Sequence, residues 1–156
     1  MPLSHKKAGW YWGSKGPFPT KAKALSVARA IHANESIEES IMNKFVLELL
    51  HGVTNTHILH LQSRSFSEHS ALGAFYDGLD DLVDSLVEAY QGKYGIIEGY
   101  EASYQLPAPA LEYLIGLSDY VASTRSSLPQ DSELQNIIDE IAALIDSTVY
   151  KLRFLK

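Results

Sequence analysis

The chain has no cysteine, which removes disulfide frameworks and thiolate zinc sites and leaves imidazole and carboxylate groups as the available metal donors. Such donors suit zinc, iron or manganese rather than copper(I). No apolar run approaches the roughly 18 uninterrupted residues that a membrane span needs, and Met1 to Trp12 lacks the apolar stretch of a secretory leader. We therefore expect a soluble protein that is not secreted, works in the cytoplasm and has no membrane partner. Acid is missing from the first 34 residues, which carry Lys6, Lys7, Lys15, Lys21, Lys23 and Arg29. The rest of the chain holds 7 of the 13 cations and all 19 acids, a balance of −12 against +6. A basic segment on an acidic body can track phosphates such as those of DNA, an anionic partner, or the body itself; it can also be a merely solvated face.

With 156 residues and 46% hydrophobic content there is material for one complete core, not two. We expect a small basic module over residues 1–33 and an all-α domain over residues 34–156. Gly9 to Phe18 is aromatic and broken by glycine and proline, which predicts a turn or small hairpin. Thr20 can then cap a short helix, Lys21 to His32, with Ala24, Val27, Ala28 and Ile31 at helical spacing. Trp10, Trp12 and Phe18 are expected to pack that helix, with base stacking as the alternative.

Four longer helical patterns follow. Ser36 and Glu39 have capping-box spacing, and Ile37, Ile41, Phe45, Leu49, Val53 and His57 continue one stripe to about Arg64. Ser65 and Glu68 repeat the signature ahead of Leu72, Phe75, Tyr76, Leu79, Val83, Leu86, Val87 and Tyr90, with an end before Gly92. Lys93 to Pro109 lacks a sustained helical period and is too long for an ordinary helix-to-helix loop. A third helix runs from Pro109 to about Ser127, and a fourth begins with Ser132 and Gln135 in capping-box spacing. Connections that are short, long and short predict an antiparallel bundle with a long middle crossover, the ferritin-like arrangement.

Side chains able to hold a metal are unevenly placed. His57 and His60 lie near the end of the first bundle helix, His69 at the start of the second, and Asp77, Asp80, Asp81, Asp84 and Glu88 further along it. Asp84 and Glu88, four apart, point the same way from the flank of the apolar stripe, so a site using them more readily faces another subunit than the bundle interior. A solvated surface is the bland alternative. His32 and His51 fit no pattern and read as structural or exposed.

Thr56 to His60, Ser67 to Leu72 and Leu82 to Glu88 resemble the Dps mini-ferritins, whose ligands have the spacing of His57, His69, Asp84 and Glu88. Glu140 to Leu155 is similar to that family's last helix. The resemblance implies a homo-oligomer with iron bound, and in a competent site oxidised, between two subunits: His57 and His69 from one, Asp84 and Glu88 from the other. Two positions depart from the pattern. Gly73 replaces an aspartate and Ile58 a tryptophan, and His60 or Asp77 would be the auxiliary ligand. Residues 9–18 look instead like segments of uncharacterised tailed-phage proteins. That likeness implies a second possibility, a non-enzymatic virion component in the host cytoplasm or the virion, with other virion proteins as partners and the bundle as scaffold. A third is a DNA-binding module attached to an inert bundle.

Overall fold

A computed structural model describes residues 3–155. The chain divides into two compact units, residues 1–40 and 41–156. In the first, β1 (Leu3–Lys6), β2 (Gly9–Trp12) and β3 (Lys15–Phe18) form an antiparallel sheet in that order. One more strand is present than a hairpin requires. A bulge between Trp10 and Trp12 offsets β3, and Gly16 makes the close approach possible: at its φ of +135°, an added Cβ would lie 2.7 Å from the Trp10 carbonyl oxygen. Trp12 is buried, with its ring edge-on to His32, and Ala24 and Ala28 are buried on the helical part of this unit.

The short helix expected over residues 21–32 is not a separate element. α1 runs without interruption over Lys21–Gln62, capped as expected by Thr20, whose Oγ1 accepts from the Lys23 N–H at 3.1 Å. Ser36 does not cap a new helix; its hydroxyl donates back to the His32 carbonyl at 2.9 Å, inside the helix. Residues 32–40 are all exposed, and Ile37, placed above on the buried stripe, is solvent-facing. No glycine or proline occurs between Lys21 and His51 to break the backbone.

The second unit comprises the later part of α1, α2 (Phe66–Tyr94), α3 (Ala110–Thr124) with one 3-10 turn (Arg125–Ser127), and α4 (Ser132–Phe154). Ser65 caps α2, accepting from the Glu68 N–H. Helix α2 passes the expected stop at Gly92 and ends at Gly95, whose positive φ suits a helix terminus. Helix α4 is capped one residue earlier than expected. Asp131 holds the cap position but makes no side-chain cap bond, because its carboxylate accepts from Lys93 and Tyr94. Those hydrogen bonds, Asp131 first and Glu133 second, hold the Lys93 ammonium above its ordinary pKa. Gln135 closes no capping box; it donates to the Pro129 carbonyl at 2.9 Å and accepts from Arg125, pinning the turn before α4.

Contacts between helices give their directions. Gly52 of α1 lies close against Leu79 of α2 and Leu117 of α3, 3.0 and 3.3 Å from an added Cβ. Asn55 pairs with Tyr113 and Phe45 with Tyr120, so α1 and α3 are antiparallel. Gly78 meets Leu144 and Lys93 meets Asp131, so α2 and α4 are antiparallel too. Ser118 with Asp146, and Arg125 with Asp139, give the same for α3 and α4. The order is therefore up, down, down, up. Two consecutive parallel helices need a connection that travels the bundle's length, and residues 95–109 supply it. They are fastened to α1 by Asn43, which donates to the Glu98 carbonyl at 2.6 Å, and by the Tyr104 ring edge-on to His51. Phe45, Leu49, Leu72, Phe75, Leu79, Leu114, Ile138 and Ile141 form the centre of the core.

Candidate metal centre

A three-residue turn, Ser63 to Ser65, sets the last turn of α1 against the first turn of α2. Ser63 N–H donates to the His60 carbonyl, and the Ser63 hydroxyl to the Ser65 carbonyl at 3.1 Å. This geometry brings all three expected histidines together. His60 and His69 stack with ring centroids 3.6 Å apart and planes inclined by 23°. His57 stacks on Tyr76 at 4.4 Å, and Tyr76 meets His60 edge-on at 5.4 Å. The result is a four-ring cluster at the surface.

Its hydrogen bonding is reciprocal. His60 Nδ1 lies 2.7 Å from the His69 carbonyl oxygen, and His69 Nδ1 lies 3.0 Å from that of His60. A carbonyl only accepts, so both Nδ1 atoms carry hydrogen, and in the neutral rings the lone pair is on Nε2. Imidazole ligands of metals are commonly arranged this way, one nitrogen oriented by a backbone carbonyl and the other left as donor. His60 and His69 are thus equivalent members of a reciprocally hydrogen-bonded, stacked pair.

The glycine at position 73 has a local explanation. A Cβ at Gly73 would lie 3.2 Å from His60 Cε1 and 3.3 Å from its Nδ1, so the His60 ring occupies the space a longer side chain would enter. Alanine for glycine inside a helix ordinarily gains about 0.8–1.0 kcal/mol. We expect Gly73→Ala to gain little or lose stability in the native background and to gain about 1 kcal/mol when His60 is also alanine, a coupling that urea unfolding of the four-member cycle reads out. Equal gains in both backgrounds would mean that the ring is not held against Gly73.

The carboxylates stand apart. Asp77, Asp84 and Glu88 are exposed on α2 and enter no hydrogen bond or ion pair among the described residues. Asp84 is about 22 Å along the helix from His69 and Glu88 about 28 Å, at 1.5 Å per residue. No group of three or more His, Asp and Glu side chains able to hold an ion occurs among the described residues. The donors fit iron, zinc or manganese by chemical type, but one copy does not collect them. Tyr76 was missed as part of this cluster. Its spacing of seven from His69, two helical turns, was the available signal.

The basic residues divide among several elements: Lys6 on β1, Lys7 in the following turn, Lys15 on β3, and Lys21, Lys23 and Arg29 on α1. All six are exposed and none is in an ion pair among the described residues. Lys6 lies over the Tyr11 ring and Lys21 over Trp10. On α1, Lys23 and Arg29 sit about 200° and 80° around the axis from Lys21, so the helix presents no single basic stripe. No described helix is long and apolar enough to cross a membrane.

The family model that matches the chain, over residues 60–152, is described as Family of unknown function (DUF5856). This span takes in His60, His69, Asp84 and Glu88 and leaves out His57 and the basic module. No curated protein and no solved structure matches.

Proposed function

We propose that this chain, which belongs to the Family of unknown function (DUF5856), is a ferritin-like bundle protein that binds a transition metal ion, iron on the mini-ferritin resemblance, at a site completed by a second copy. The observation that carries this reading is the His60 and His69 pair, each with Nδ1 committed to a backbone carbonyl and Nε2 left as donor. The up, down, down, up helix order and the long middle crossover support the ferritin-like reading.

Within about 100° of arc on α2, the exposed surface passes from His69 through Asp77 to Asp84 and Glu88. Imidazoles are at one end and carboxylates at the other. An antiparallel, twofold pairing of two α2 helices centred near Asp77 sets the histidine end of each copy against the acidic end of the other, and does so twice. His57, His60 and His69 would supply nitrogen from one copy, and Asp84 and Glu88 oxygen from the next. A bound iron ion would supply redox chemistry there, and the carboxylates would neutralise its charge.

The test is an anaerobic ferrous titration of the full chain, followed by admission of oxygen. Saturable uptake is expected, with at least about a tenfold loss of affinity in His69→Ala or Glu88→Ala, the range seen when metal-site groups are removed. Uptake that does not saturate, or is unchanged by either substitution, would leave the inert virion scaffold as the better account.

A further inference from the structure

A second polar site lies on another side of α1. Asn55 and His57 are two residues apart, hence about 200° apart around the helix, and Asn55 belongs to a cleft of ≈ 420 Å³ between α1, the crossover and α3. Glu48, His51 and Asn55, at intervals of three and four, present one helical face to it. Tyr104 of the crossover and Tyr113 of α3 complete its aromatic wall.

Asn55 is 4% exposed, and its Nδ2 donates to the Tyr113 hydroxyl oxygen at 3.1 Å. Its Oδ1 is buried with no hydrogen-bond partner, the sole side-chain atom in that condition among the described residues. Native structures rarely leave such an acceptor unmatched, so the cleft asks for a donor. The wall contains Glu48 and neither lysine nor arginine, and Pro107 adds a backbone carbonyl without an N–H. Burial, and secondarily Glu48, raise the Tyr113 phenol above its ordinary pKa against the opposing effect of the Asn55 bond, so it stays a neutral hydroxyl.

We propose that this cleft binds a small organic cation with N–H donors, an alkylammonium or short diamine, whose charge Glu48 balances and one of whose N–H groups bonds to Asn55 Oδ1. Tyr104 and Tyr113 in the lining are rings of the kind that attract such a cation.

The probe is 1,4-diaminobutane, titrated calorimetrically into the full-length protein beside the uncharged butane-1,4-diol. We expect saturable diamine binding, diol binding at least about tenfold weaker, and a loss of about tenfold or more in diamine affinity in Glu48→Gln, since a charge-assisted bond is replaced by a neutral one. Asp84→Asn with Glu88→Gln should leave diamine affinity unchanged, which separates the cleft from the acidic surface of α2. Equal affinities for diamine and diol overturn the proposal, as does diamine binding that survives Glu48→Gln but is lost with the α2 substitutions. Absence of saturation in the wild-type protein also overturns it. The comparison of the two ligands on unmodified protein decides the matter even if Glu48→Gln does not fold.

Discussion

Co-expressing a His57→Ala, His69→Ala chain with an Asp84→Ala, Glu88→Ala chain should restore metal binding that neither variant has alone. In a homogeneous pair of either variant, both shared sites lack either His57 and His69 or both carboxylates. In a mixed pair, one site keeps every native ligand and the other keeps only His60. Random pairing makes about half of the dimers mixed, so recovery should reach about a quarter of the native capacity. All four side chains are exposed, and surface changes of this kind usually move stability by about 0.5 kcal/mol or less. Loss of binding in the separate variants is therefore a loss of ligands. A site drawn from one chain would show no recovery, because each chain carries its own defect. Zero recovery from variants that still associate would end the shared-site reading.

The largest effect on stability is expected at the centre of the bundle. Phe75 on α2 is fully buried, and Phe75→Ala should cost about 3–5 kcal/mol, through lost apolar burial and the cavity left behind. That is a large part of the roughly 5–15 kcal/mol holding an ordinary domain together. Phe66, nine residues earlier on the same helix, is 85% exposed, and Phe66→Ala should change stability by about 0.5 kcal/mol or less. Urea unfolding of both variants gives the contrast directly. A similar small loss at both positions would mean that Phe75 is not in the packed centre.

The α2 stripe shows how much of the bundle can be read in advance. Of Leu72, Phe75, Tyr76, Leu79, Val83, Leu86, Val87 and Tyr90, picked out by spacing alone, six are buried and Tyr76 and Val87 are half-buried. The same reasoning misplaced the start of α1. Ser36 and Glu39 have the spacing of a capping box, yet a serine hydroxyl serves equally well inside a helix by bonding to the carbonyl four residues back. A local signal with two uses cannot choose between them, and the uninterrupted backbone from Lys21 onward did. Asp131 rather than Ser132 holds the cap position of α4, and its carboxylate serves Lys93 and Tyr94 on another helix instead of the cap.

For the candidate site, the residue types and their presence at the junction of α1 and α2 were legible, and the pairing was not. Nine residues separate His60 from His69, an interval that means nothing in helical periodicity. They meet because Ser63 to Ser65 turn tightly. Gly73 reads in the chain as a missing ligand; in the fold it is the space that admits an imidazole.

Composition and periodicity were enough to establish the last three helices of the bundle, the long crossover and the absence of thiolate ligands. Each follows from residue type or from backbone bonding over a few residues, which neighbouring side chains encode. Which rings stack, which carbonyls receive Nδ1 and why Asn55 Oδ1 has no partner depend on the axial register between helices. Many core side chains packed at once set that register, so no single interval along the chain could have announced it.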